Sequence, residues 1–112
     1  MRYPALQGKR DANEPQIIAA LEAVGATVEQ LPTGRGLADL LVGFTYIDDL
    51  WCTCRDNYLI EVKTPKGKLN SKQIKWHNEW NGQVAVVRTP EEALAVIGVD
   101  IPLDDRVRRA GQ

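Results

Sequence analysis

Apolar positions along the chain recur at two spacings, helical and alternating, and the changes between them mark out the elements. Ile17, Ile18, Leu21 and Val24 fall at helical intervals. Asp11 or Asn13 can cap that helix, Pro15 is tolerated in its first turn, and Gly25 suits its end. Residues 27–31 read as a short strand leading into the turn Pro32-Thr-Gly-Arg-Gly36. Residues 40–44 read as a second strand, almost continuously apolar, a pattern that expects burial on both faces. Residues 58–63 alternate: Tyr58, Ile60 and Val62 take one face, while Leu59, Glu61 and Lys63 take the other. Between these two strands, residues 45–57 are too long for a tight hairpin and read as an extended hairpin or flap. Its Tyr46 and Trp51 suit contact with DNA or a second subunit, and equally suit covering the domain's own core.

Further on, Asn70-Ser-Lys-Gln73 has the form of a capping box. The helix it opens should stop at Asn81-Gly82, with Ile74, His77 and Trp80 on one stripe, which makes His77 a partly buried packing residue. Residues 83–88 read as the last strand, and Thr89-Pro90-Glu91-Glu92 opens another helix. The order helix, three strands, helix, strand, helix predicts an α/β fold, a mixed β-sheet flanked by α-helices. Two residues on these helices have two readings each. Glu14 lies on the buried stripe of the first helix, where it either complements the helix dipole or serves a site on the sheet. Gln73 either closes the capping box or faces that site.

At 112 residues, 44% hydrophobic and 26% charged, the chain is expected to form one domain over residues 1–112, with flexible ends at 1–10 and 103–112. A net charge of −1 gives no general attraction to polyanions. Distribution changes that picture, because Lys63, Lys66, Lys68, Lys72 and Lys75 follow one another with no acid through Asn78, a local positive patch. Cys52 and Cys54 lack the second pair that a structural zinc site requires and are expected as reduced thiols. The opening residues do not resemble a signal peptide, and no apolar run approaches the ~20 residues of a membrane span. The expectation is a soluble, cytoplasmic protein without membrane contact.

The candidate chemistry gathers around residues 58–63. An isolated E-x-K on a strand is usually a solvated ion pair. Here Asp39 stands at the mouth of the neighbouring strand, and the basic turn Thr64-Pro-Lys-Gly-Lys-Leu69 runs straight into the next helix. Asp39 and Glu61 are hard oxygen ligands suited to Mg²⁺ or Mn²⁺, and phosphodiester hydrolysis needs such charge neutralisation together with a positioned water. Two nearby carboxylates keep Lys63 charged without metal, so it is expected to orient and stabilise charge rather than act as a free base. The phosphate loop, the dinucleotide fingerprint and the H-E-x-x-H motif are all missing.

Gly36-Leu-Ala-Asp39-Leu-Leu-Val-Gly43, Glu61-Val-Lys63 and Gly67-Lys-Leu-Asn-Ser71-Lys-Gln73 together resemble the PD-(D/E)XK nuclease superfamily, and within it the virus-type replication-repair (VRR-NUC) branch. The resemblance implies a restriction-endonuclease-like core and a Mg²⁺- or Mn²⁺-dependent DNA endonuclease. It implies Asp39, Glu61, the Val62 carbonyl and Glu14 around the metal, with Lys63 and Gln73 catalytic beside them, and so tips Glu14 and Gln73 toward function. It also implies a homodimer acting on branched DNA such as Holliday junctions. Ala38 stands where the motif's name has proline, and the insertion at 45–57 bears on dimer and substrate. Lys9, Arg10, Arg35, Lys66, Lys68, Ser71, Lys72 and Lys75 are the expected DNA contacts. The alternatives are a monomeric nicking or flap nuclease on duplex DNA, a noncatalytic DNA-binding module, and a structural domain in which Glu61 and Lys63 merely pair.

Overall fold

Helix α1 (Glu14–Ala23) carries Pro15 in its first turn, where a fixed φ is suited, in a computed structural model that describes residues 10–100. Lys9 and the ends expected to be flexible, 1–10 but for Arg10 and all of 103–112, lie outside the described residues. Strand β1 (Thr27–Gln30) pairs antiparallel with β2 (Leu40–Ile47), and β2 pairs antiparallel with β3 (Thr53–Val62). Helix α2 (Ser71–Glu79) then crosses over to β4 (Ala85–Val87), which runs parallel to β3, and α3 (Pro90–Val96) follows. The sheet order is β1-β2-β3-β4, a mixed four-stranded sheet with three helices, in the element order expected from the sequence.

Alternation on the strands divides the helices between the two faces. Leu40, Val42, Ile60, Val62 and Val87 point to one side and are buried against Ile17 and Leu21 of α1 and against Ala93, Leu94 and Ile97 around α3. This cluster is the apolar core. The opposite face carries Glu61, and α2 lies over it. There two expectations fail. Leu41 is 38% exposed, so β2 is buried on one face only; α2 buries none of its own residues and does not extend a lid across that strand. The stripe of Ile74, His77 and Trp80 is likewise not a packing stripe, since Ile74 and Trp80 are both exposed. The helix is turned so that Gln73, Trp76 and His77 are its half-buried residues, because its inner side is set by polar contact with the sheet.

Residues 45–57 are the far end of the β2–β3 ribbon, an extended hairpin that stays paired out to Ile47 and Thr53. Asp48 closes its turn by accepting hydrogen bonds from the amides of Leu50 and Cys52. Trp51 adopts a left-handed φ of 62° and is 87% exposed, so it does not cover the core. Both thiols are free.

Backbone joints hold the site's elements together. Asn13 occupies the N-cap position of α1 without capping it; its amide instead donates to the carbonyls of Lys63 and Arg88, fastening α1 to the ends of β3 and β4. Arg88 in turn donates to the carbonyls of Thr64 and Gly67, which pins the basic turn. Gly36 has φ +83°, and a Cβ there would stand 2.6 Å from the Lys72 carbonyl oxygen, so a side chain would push α2 off the loop. Gly25 has φ +95° with open space around it.

Gly25→Ala should therefore cost only left-handed backbone strain, about 1–2 kcal/mol. Gly36→Ala should cost visibly more, because the same strain is joined by a backbone clash. Urea unfolding of the two variants against wild type measures the difference, and equal losses would place no steric demand on the Gly36 contact.

Candidate active site around Glu61

Glu61 sits near the C-terminal end of β3, fully buried, between a core strand and a helix that is mostly wet. Its two oxygens have different surroundings. Oε2 accepts a hydrogen bond from Gln73 Nε2 at 2.9 Å and lies 3.9 Å from the Lys63 ammonium. Oε1 has no hydrogen-bond partner, and the atom nearest to it in an ionic sense is His77 Nε2 at 3.7 Å, which is also buried and unpartnered. Lys63 shares the Glu61 face as strand alternation requires, and its side chain is only 13% exposed.

Asp39 is held by backbone on both sides. Its amide donates to the Ile60 carbonyl, its carbonyl accepts from Leu31, and its Oδ2 accepts from the Val62 amide at 2.8 Å. This joint carries the acid from the start of β2 across to β3. A cleft of about 350 Å³ between the Thr33–Gly36 loop and the start of α2 has Asp39 and Gln73 on its wall, so Asp39 reaches solvent on that side while Glu61 stays behind it.

Burial pushes the Glu61 carboxyl well above its ordinary range, a hydrogen bond shared with the Asp39 carboxylate and the charge of that carboxylate add to the shift, and the Lys63 ammonium pulls against it. Asp11 contributes a further raising charge. Burial also lowers His77, helped by Lys63 and opposed by Asp39, which leaves the imidazole neutral.

Gln73 fulfils both of its readings at once. Its Oε1 accepts from the Asn70 amide to close the capping box, while its Nε2 grips Glu61. Glu14 is buried, yet it does not join the two sheet carboxylates. Its Oε2 accepts from Arg10 Nε and from Gln30 Nε2 at 2.8 Å, and an acid so occupied stabilises the α1–β1 junction. Among the described residues no three His, Cys, Asp or Glu side chains group as a metal site, so the expected set of Glu14, Asp39 and Glu61 is not assembled. Val62 offers its amide to Asp39, and its side chain belongs to the core.

The expected DNA contacts divide in the same way. Arg10 is committed to Glu14 and to the carbonyls of Leu31 and Asp39, so it is an internal brace rather than a surface cation. Arg35, Lys66, Lys68, Ser71, Lys72 and Lys75 are exposed, and Ser71 and Lys72 line the cleft, although Lys75 pairs with Glu79 at 3.1 Å. Arg35, Lys72 and Lys75 line a shallow groove together with Trp76. Hydrophobic periodicity misses one neighbour of Glu61: it reads His77 as packing, although the i, i+4 spacing from Gln73 signals that both face one target.

The donor chemistry fits Mg²⁺ or Mn²⁺ in the mode where one or two carboxylates hold the ion and water or phosphate completes its shell. A buried carboxylate oxygen with no partner is the observation that favours this, since such an atom costs free energy until a proton or cation meets it. Comparison with known proteins found no family model, no curated protein and no solved structure that matches the chain. The functional argument therefore rests on the geometry.

The raised Glu61 has a consequence for stability. Its folded pKa lies above its unfolded value, so the folded chain holds an extra proton and loses stability as pH rises from the ordinary carboxylate range toward about 9. Melting in EDTA at pH 5.5, 7 and 8.5 should show wild type declining with pH and Glu61→Gln declining less. Parallel profiles would mean that Glu61 ionises without penalty.

Proposed function

We propose that this chain is a Mg²⁺- or Mn²⁺-dependent DNA endonuclease with a restriction-endonuclease-like core, of the PD-(D/E)XK superfamily and its VRR-NUC branch. The observation that carries the reading is the bare, buried Oε1 of Glu61 beside Asp39, with Lys63 on the same strand face. A noncatalytic binding module would gain nothing from burying that oxygen.

Each residue has a task in this reading. Asp39 and Glu61 would hold the ion, which when bound neutralises charge on a phosphate oxygen and acidifies water. Gln73 fixes the orientation of Glu61 through the 2.9 Å bond, and the capping box fixes Gln73. The Lys63 ammonium, 3.9 Å from Glu61 Oε2, stabilises charge that develops on the phosphate and helps to orient the attacking water. Lys66, Lys68 and Lys72, all exposed, hold the DNA backbone on the approach to the cleft.

The substrate proposed is branched DNA such as a Holliday junction, cut by a homodimer inside the cell. A monomer that nicks or trims duplex DNA is the alternative. The exposed apolar tip of the β2–β3 ribbon, with Ile47, Leu50 and Trp51 in water, favours an assembly over a bare monomer.

Wild type should cut linear duplex, flap or four-way-junction DNA with Mg²⁺ or Mn²⁺ and not with EDTA. Asp39→Asn, Glu61→Gln and Lys63→Ala should each lose at least ~100-fold in cleavage rate while keeping the fold. Metal-independent binding without cleavage of any substrate would make the noncatalytic module the better reading. The ranking of the three substrates, read with the mass in solution, separates junction resolution from nicking.

The double variant Lys66→Ala/Lys68→Ala should weaken DNA binding most at low salt. Each lost phosphate contact removes about 0.9 from the slope of log K against log salt, so the double change should flatten it by about 2. An unchanged slope would leave the basic turn as a solvated face.

A further inference from the structure

His77 is the only histidine in the chain, and α2 presents it on the same side as Gln73, four residues earlier. The two side chains reach one carboxylate. Gln73 donates to Glu61 Oε2 at 2.9 Å, whereas His77 Nε2 stands 3.7 Å from Glu61 Oε1, too far for a hydrogen bond. Neither Nε2 nor Oε1 has a hydrogen-bond partner, and both atoms are buried. Two desolvated polar atoms facing one another without contact are costly, and the arrangement becomes favourable when one group bonds both.

Both atoms are metal donors. Their 3.7 Å separation is shorter than the sum of two ligand bonds of about 2.1 Å each, so the distance permits a single cation to bond both. Lys63 does not fill this role, because its ammonium lies on the Oε2 side.

We propose that His77 is a metal ligand beside Glu61, and that its nitrogen turns the centre toward borderline transition ions such as Mn²⁺ or Co²⁺ and away from Mg²⁺. Hard Mg²⁺ prefers oxygen and keeps its waters, whereas imidazole suits the later first-row ions. Solvent or phosphate oxygens complete the shell, because among the described residues no third His, Cys, Asp or Glu closes up with Glu61 and His77. The inference rests on the reading of Glu61 as a metal ligand and adds a second donor beside it.

A single histidine makes the test direct. Tag-free wild-type protein loaded with one equivalent of Mn²⁺ is examined by pulsed electron paramagnetic resonance. Coupling to an imidazole ¹⁴N has only one source, and a spectrum without it overturns the assignment. Calorimetric titration with Mn²⁺, Co²⁺ and Mg²⁺ then compares wild type with His77→Gln. Loss of the nitrogen ligand should lower Co²⁺ affinity at least ~10-fold, while Mg²⁺ affinity stays within about twofold, since oxygen and water supply its shell. Equal losses for both ions, or no loss for either, would also overturn it. If wild type binds none of the three ions, the metal-dependent nuclease reading fails with it. If Mg²⁺-dependent cleavage is present and ¹⁴N coupling is absent, only the role of His77 falls.

Discussion

A carboxylate removed from water must be protonated, paired or bound to a cation, and Glu61 is fully buried. The surrounding structure answers that demand only halfway. Gln73 and Lys63 attend to one oxygen, and the other is left bare. Replacing the acid with an apolar residue of similar size would remove that cost. The rest of the fold can be read as the support this one residue requires: a strand that brings it in, a helix that holds one side of it, and a neighbouring acid fastened in place through backbone.

That support is distributed through joints far apart in sequence. Asn13 ties the start of α1 to the ends of β3 and β4, Arg88 pins the turn that leads into α2, and Gly36 lets α2 approach the loop before Asp39. Helix α2 buries none of its own residues, so it is positioned by its cap and by these joints more than by apolar packing. A helix held in this way is free to carry polar residues on its inner side, and Gln73 and His77 use that freedom.

Much of this was legible in the residue pattern. Strand alternation placed Glu61 and Lys63 on one face, and the capping signature located Gln73 at the head of α2, because both depend on neighbours within a few positions. What was not legible depends on pairings across the fold. Glu14 was correctly placed on a buried stripe, but nothing local reveals that Arg10 and Gln30 occupy its carboxylate. Arg10 looked like a surface cation because two of its three partners are carbonyls, which have no sequence identity. His77 looked like packing because apolar periodicity assigns a helix's inner side by hydrophobicity, and here that side is chosen by a carboxylate. Leu41 misled for the complementary reason: an apolar run does not tell whether a helix covers its second face.

The three tryptophans are unusually well separated by environment. Trp51 stands in water at the ribbon tip, while the ring of Trp76 on α2 lies against His77 and stacks 5.0 Å from that of Trp80, just past the helix end. Intrinsic fluorescence therefore has two independent reporters in one molecule. Emission from Trp51 follows whatever meets the hairpin, and the coupled pair follows movement of the helix over Glu61. Substituting Trp51 by phenylalanine would leave an optical signal that belongs to the site alone.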